Sequence, residues 1–498
     1  MRLSGTLQGR LTIVARNTAG VLCPLLVVAL VDSVSASPLH NFVGALDSRS
    51  PLTQTIDGCG PATAFHNPAL LGKCSGFSFG VGYLHTDLDI DLLERPMGAD
   101  ITEDIYLARV ETSSGDLQTL PSRPLPTAKL RNSRGATVNP PHRFFLMLGH
   151  AGRLGDRVAW GIHAALPLGR GQQQQSFYVD EREQFFSNAL QFEMYGDRLV
   201  RMAVAGGMGI DILDSLAVGV GVTLATHTRV LNEIYMPDVA DQESFYIASQ
   251  TSIDLQLLPH GGVSWEPADG TRFALTVHAP SANRIAARNE LQFWDYPYPE
   301  GQDTLVQKLV YEDGYEPLRL KPGVRQIFDL FDVPMTVSLT GGWQRWSAFV
   351  NRQGETPLDP WADTFDLALG GQASFADHRI DVGAALVPSP VPSQDGRQNY
   401  VDNHRVGIAA GLEWDTSPWG LPLAIGLQLQ LHFLVGRSHE KRETALNPVV
   451  DEFPASVSAS TGASLPAAAG LQSNNPGYPG FSSGGWFLSS ALFVRGRE

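Results

Sequence analysis

The sequence predicts an all-β fold, a 14-stranded antiparallel transmembrane β-barrel with an N-terminal plug in its lumen. Three observations point there. Apolar residues alternate with small or polar ones over unusually long stretches; connections alternate between short and long; and no later segment approaches the 18 consecutive apolar residues of a membrane helix.

The alternation is clearest from Leu421 to Val435. Leu421, Leu423, Ile425, Leu427, Leu429, Leu431, Phe433 and Val435 share one face, opposite Pro422, Ala424, Gly426, Gln428, Gln430, His432 and Leu434. Successive side chains of a strand point oppositely, so one face is continuously apolar. At about 3.3 Å per residue the stretch is roughly 50 Å long, more than a tilted strand needs to cross the hydrocarbon. The same pattern sets Val158, Trp160, Ile162, Ala164 and Leu166 against Arg157, Ala159, Gly161, His163 and Ala165. It also sets Val406, Ile408, Ala410, Leu412 and Trp414 against Arg405, Gly407, Ala409, Gly411 and Glu413. A water-facing sheet would carry more charge on its polar face, whereas a face of Gly, Ala, Thr and Gln suits a crowded lumen.

Fourteen strands are expected near 76–88, 142–152, 156–168, 198–212, 215–228, 251–266, 271–294, 315–327, 333–350, 362–376, 378–390, 403–415, 420–437 and 484–495. The connections after the even-numbered strands are short, as in Gly152-Arg153-Leu154-Gly155 and Glu266-Pro267-Ala268-Asp269-Gly270. Those after the odd-numbered strands are long. Bacterial barrels pair an even strand number with short periplasmic turns and long outer loops. The expected location is therefore the bacterial outer membrane, with both termini periplasmic and outer-membrane lipid around the wall. Residues 451–485 and the run Gln172–Gln175 read as polar outer loops.

Composition agrees with export. Charged residues make up 17% of the 498-residue chain and Gly occupies 50 positions. Arg2, Arg10 and Arg16 precede an apolar run from Val21 to Val31, and Val34-Ser35-Ala36 offers a small-residue cleavage site. Residues 1–36 read as a signal peptide, the apolar run being short for a membrane anchor. Removing them takes away three Arg and Asp32, leaving 33 basic and 50 acidic residues and a net charge of −17. Such a chain lacks the clustered Lys and Arg of nucleic-acid binding. No Gly-x-Ser-x-Gly occurs and the histidines are scattered, so neither an enzyme nor a cofactor or metal site is expected.

Residues 37–74 precede the barrel, which is assigned to 75–498, and lack sustained alternation. A lumen this wide exceeds what its own side chains fill, so a compact segment folded into it would be a plug; the other reading is a disordered tail. Cys59 and Cys74 are the two cysteines left after signal removal. In an oxidising compartment they suggest a disulfide, against two free buried thiols.

Within this segment Asn67-Pro68-Ala69-Leu70 resembles the Asn-Pro-Ala plug element of the FadL-type outer-membrane transporters for long-chain fatty acids and related hydrophobic compounds. Val337 to Phe349 is similar to that family's strand ending in Trp-Ser-x-Phe, here Trp346-Ser347-Ala348-Phe349. Val387-Pro388-Ser389-Pro390-Val391-Pro392, followed by Val401-Asp402-Asn403-His404-Arg405, is a third likeness. Two features depart from the pattern. The chain ends Leu492-Phe493-Val494-Arg495-Gly496-Arg497-Glu498, without the terminal aromatic by which such barrels engage the assembly machinery. Nor is the family's helical outer loop evident in 229–248.

The resemblance implies a monomeric channel for passive uptake of a hydrophobic small molecule. Outer loops capture it, an apolar lumen pocket receives it, the plug moves, and it leaves through a gap in the wall. Gly161 and Pro167 are the candidates for interrupted pairing, with ordinary strand curvature as the alternative. Arg143, Arg157 and Arg345 are candidates to meet a carboxylate headgroup. A general diffusion porin and a structural or adhesion barrel are the rival readings.

Overall fold

A computed structural model describes residues 51–93, 142–168, 202–236, 246–293, 304–351 and 480–496, and most of 354–441. It also describes Tyr195 and four short strand segments at 109–111, 117–119, 451–453 and 471–472. The signal segment, residues 37–50, Gln172–Gln175 and most of 451–485 lie outside the described residues.

The wall is built from β1 (Gly76–Leu92), β2 (His142–Leu154), β3 (Val158–Leu168), β4 (Ala203–Leu213), β5 (Leu216–Met236), β6 (Tyr246–Ala268) and β7 (Thr271–His278). After a hairpin of β8 (Ser281–Phe293) and β9 (Leu305–Glu316) it continues through β10 (Arg319–Leu330), β11 (Val333–Gln344) and β12 (Thr364–Phe375). The remaining strands are β13 (His378–Val387), β14 (Arg405–Asp415), β15 (Leu423–Glu440) and β16 (Gly480–Gly496). Fourteen of these, all except β8 and β9, pair antiparallel with both neighbours, and β1 against β16 closes the ring from Ser78↔Arg495 to Leu92↔Phe481. Closure leaves the barrel no unpaired edge.

Side chains follow the alternation. Phe77, Phe79, Val81, Phe273, Leu275, Val277, Ile425, Leu427 and Leu429 are exposed, while Ala424, Gln428, Gln430 and His432 are buried toward the lumen. An exposed apolar surface of this extent belongs in hydrocarbon rather than water. One end carries tight turns, including Phe331-Asp332, both at positive φ, as a two-residue hairpin requires. The other end carries the long connections.

The strand expected at 271–294 is two elements. β7 stops at His278, and Ala279-Pro280 interrupts it because proline lacks the N–H that continues a ladder. The chain then turns inward, Ser281 and Ala282 being fully buried, and β8 joins β5 in parallel from Ile285↔Thr228 to Phe293↔Met236. Residues 229–236 and 246–248, which show no helical pattern in sequence, extend β5 and β6 as a hairpin. β11 ends at Gln344, short of the expected 350, because the chain enters a 3₁₀ turn at Trp346–Ala348.

Candidate functional site

The segment before β1 lies inside the lumen as a hatch. Two single-turn helices, α1 (Gln54–Asp57) and α2 (Thr63–His66), lead to a 3₁₀ turn over Pro68–Lys73. Asn67 organises the bend. It is fully buried; its Nδ2 donates to the Thr55 carbonyl (2.9 Å) and its Oδ1 accepts from the Ala69 N–H (3.2 Å), which caps the 3₁₀ turn. Pro68 supplies the first turn position, where an N–H would be unpaired in any case. Cys59 and Cys74 are joined by a disulfide, Cα–Cα 5.3 Å, which encloses α2 and this turn.

The hatch packs on β2–β7, β10 and β11, and Ala64 and Leu71 of the hatch form a buried cluster with Ala151 of β2 and Ala159 of β3. Its seat is made of lumen-facing glycines. A Cβ added at Gly262 would lie 2.0 Å from Asn67 Oδ1, at Gly219 2.3 Å from the Ala69 nitrogen, at Gly209 2.5 Å from the Pro68 carbonyl oxygen, and at Gly149 2.4 Å from Pro61. At Gly161 it would meet Leu71 at 2.4 Å. At these positions hatch atoms, backbone at Gly209 and Gly219 and side chain at Gly149, Gly161 and Gly262, occupy the space a Cβ would need. Polar tethers hold the rest. His260 Nε2 lies 2.6 Å from the Ala64 carbonyl oxygen, Ser338 donates to Asp57 (2.7 Å), Arg272 donates to the Ile56 carbonyl (3.1 Å) and Arg153 to the Gly72 carbonyl (2.6 Å). Lys73 pairs with Glu266 at 3.0 Å.

Gly161 thus serves the hatch. β3 is paired without register shift to β2 from Leu154↔Val158 to Phe144↔Leu168, and to β4 from Val158↔Ile210 to Ala165↔Ala203. Pro167 faces Phe145 on β2, beyond the last β4 pair. The described ladder runs unbroken through Gly161, and Pro167 is paired on its β2 side, its β4 side lying outside the described residues.

Between the hatch and the opposite wall lies a cavity of ≈ 120 Å³. Gln54, Thr55 and His66 of the hatch face Arg319 and Lys321 of β10, Gln344 of β11, Asp366 and Ala368 of β12, Ala385 of β13, Arg405 of β14 and His432 of β15, with Glu316 and Trp346 beside them. Arg319 pairs with Glu316 at 3.0 Å, both side chains buried. Gln344 Nε2 donates to Asp366 Oδ1 at 3.0 Å. Three cations therefore meet two carboxylates, one of which is already committed to Arg319. Burial, then the charges of Lys321, His163, Arg319 and His260, lowers the His66 pKa from 6.5 to about 3, so its imidazole is neutral at ordinary pH. The lining is mixed, with Pro51, Leu52, Leu367 and Val387 standing among these polar groups. Apolar character stands next to it: Trp346 joins Tyr315, Phe349, Trp361 and Tyr400 in a buried cluster in which Phe349 and Trp361 stack at 3.8 Å.

None of the three arginines singled out from sequence lines this cavity. Arg143 is buried in the lumen but on β2, where it donates to Thr86 (3.2 Å). Arg157 sits in the β2–β3 turn and reaches the Ile212 carbonyl (3.2 Å). Arg345 is exposed at the end of β11. The cavity cations lie at 319, 321 and 405, on the inward phase of their strands. Strand phase could have marked them; only the fold brings them together. Among the described residues no group of three His, Cys, Asp or Glu side chains is placed to hold a metal.

The other two motifs hold the long-loop end. Trp343 Nε1 and the Ser347 N–H both donate to Asp363, at 3.1 and 2.9 Å, fixing the turn that delivers Trp346. Arg437 donates to Ser389 Oγ and to the Asp402, Val391 and Pro392 carbonyls, and Asn403 Nδ2 donates to the Val435 and Ser483 carbonyls. Tyr195 donates to Asp402 at 3.0 Å. Burial raises the Asp402 pKa against the pull of Arg405 and its hydrogen bonds.

No protein-family model matches the chain, and no curated protein matches it. Among solved structures, that of a Pseudomonas aeruginosa FadL homologue matches with a TM-score of 0.50 and 12% identity, over 94% of this chain and 99% of that one. The Ralstonia pickettii toluene transporter TbuX gives 0.44 at 13% identity, over 93% and 99%. The Pseudomonas putida toluene transporter TodX gives 0.44 at 10%, over 91% and 99%. With a closed ring of fourteen strands and a hatch seated in its lumen, the chain has the fold of the FadL homologue.

Proposed function

We propose that this protein is a bacterial outer-membrane channel for passive uptake of a hydrophobic molecule bearing an anionic head, such as a long-chain fatty acid. The observation that carries the reading is the juxtaposition of Arg319, Lys321 and Arg405 with the aromatic cluster ending at Trp346. A carboxylate gains charge-assisted hydrogen bonds from such cations, and an apolar tail is sheltered by the rings. Each CH₂ kept out of water contributes about 0.8 kcal/mol, which favours a route that stays within the protein. The fold shared with the FadL homologue supports the reading by analogy only. In this reading the short turns and both termini face the periplasm, and the hatch blocks free diffusion until it moves. A plain diffusion pore accounts less well for a lumen that seats a hatch on its glycines.

The test is binding of a fluorescent fatty acid to purified protein in detergent. Replacing Lys321 and Arg405 together by Gln should weaken it at least about tenfold, roughly 1.4 kcal/mol, while a neutral alcohol of equal length is unaffected. Equal weakening of both ligands, or of neither, refutes the role given to these cations.

A further inference from the structure

Four imidazoles meet around the end of α2. Phe65 sets its edge against His66 (centroids 5.1 Å, planes 83° apart) and packs on His278 at 4.9 Å and His260 at 5.9 Å. His260 of β6 and His278 of β7 are opposite each other in the ladder, and their rings stack at 5.0 Å with planes 11° apart. His260 Nε2 also donates to the Ala64 carbonyl (2.6 Å), so the pair holds the helix directly. Gly221 makes room for it: a Cβ there would lie 2.2 Å from His260 Nε2. His163 of β3 is buried, and its charge acts on His66. Cations face this set. Arg319 of β10 is the ladder partner of His278, Lys321 lies two residues along, and both line the cavity with His66, Arg405 and His432. Arg272 and Arg325 are buried further along β7 and β10, and Arg143 and Arg153 are on β2. The carboxylates of the surrounding elements have other partners. Glu316 of β9 pairs with Arg319, Asp57 of α1 accepts from Thr53 and Ser338, Glu266 of β6 pairs with Arg272 and Lys73, and Asp211 of β4 pairs with Arg153. Asp366 of β12 accepts from Gln344. A proton on any of the four imidazoles therefore arrives among cations.

We propose that His66, His163, His260 and His278 form a proton-operated release for the hatch: uncharged they hold α2 in its seat, and charged they drive it out. Seated, a protonated His66 is pressed against Arg319 and Lys321 across the contact between hatch and wall. Charged His260 and His278 repel each other at 5.0 Å beside Phe65, where little water screens them. Unseated, the rings meet water and bind protons near the ordinary imidazole value of about 6.5. His66 already shows the difference, its pKa in the seat being about 3. Because the unseated state binds more protons, the seat is at full strength above about pH 6.5 and weakens as pH falls. Each additional proton shifts the balance by about tenfold per pH unit. The release acts on the hatch whatever molecule the cavity receives.

The experiment is hydrogen exchange by mass spectrometry on the purified full-length protein in detergent, from about pH 7 to about pH 4.5, with rates corrected for intrinsic exchange. Opening of the hatch amides over 54–66 should rise by more than about tenfold per pH unit, as uptake of more than one proton requires, while β15 over 425–433 stays protected. His66→Gln and His278→Gln should each make that rise shallower. His85→Gln, on the outward face of β1 with Phe77, Phe79 and Val81, should leave it unchanged. A rise no steeper than about tenfold per pH unit overturns the joint action of the set. A rise as steep in His66→Gln and His278→Gln as in wild type overturns the release itself. Exposure of β15 in step with the hatch would mean that acid loosens the whole barrel, which also refutes it. If His278→Gln fails to assemble, His66→Gln, on the hatch, decides.

Discussion

Gly262 and Asn67 show how single positions tie the hatch to the wall. A methyl group at Gly262 would collide with Asn67 Oδ1, a rigid atom engaged in capping the 3₁₀ turn. Gly262→Ala should destabilise the seated hatch by about 1–3 kcal/mol, as overpacking does, and expose 51–75 to protease while the barrel stays heat-stable. Unchanged protease protection would mean that the seat is not where the hatch is held. His66 works through protonation. Its folded pKa, about 3, lies below the unfolded 6.5, so the folded state resists the proton. Stability is then complete above pH 6.5 and falls as pH drops from 6.5 toward 3. Hydrogen exchange of the hatch amides should accelerate across that window in wild type and less in His66→Gln; an equal response in both contradicts the assignment. In sequence, Asn67 stood out through its neighbours Pro68 and Ala69. Gly262 did not, because glycine in a strand reads equally as curvature, a bulge or a close approach.

At the scale of elements, most of the wall was legible. Period-2 alternation assigns β15 and β14 to lipid and lumen faces, and both have those faces in the structure, since a strand with apolar surroundings on one side tolerates no slip of register. β7 to β9 was not legible. The alternation runs on past Pro280, and what turns β8 inward is its parallel pairing with β5, a contact between residues more than fifty positions apart. The hatch loop is the other element with a testable energy. Its disulfide spans a sequence separation of 15, for which loop entropy gives about 3 kcal/mol of stabilisation. Cys59→Ser with Cys74→Ser should leave barrel assembly intact but lower the temperature at which the hatch becomes protease-sensitive. An unshifted transition would show that the glycine seat and polar tethers suffice alone.

For the whole molecule, alternation and the short–long rhythm of connections determined that the chain closes into fourteen antiparallel strands with a segment before the first. Those are local properties: strand period, turn length and export composition are written residue by residue. The tertiary structure alone decided which groups meet in the lumen. Lys321 and Arg405 are 84 positions apart, and Glu413 and Arg495 are 82 apart. No spacing rule links them, because neighbours across a barrel are set by which strands meet and at what register. For the same reason Arg143, Arg157 and Arg345 were reasonable by type and none lines the cavity. A cation becomes a binding group only where closure of the ring and the seat of the hatch leave room beside it.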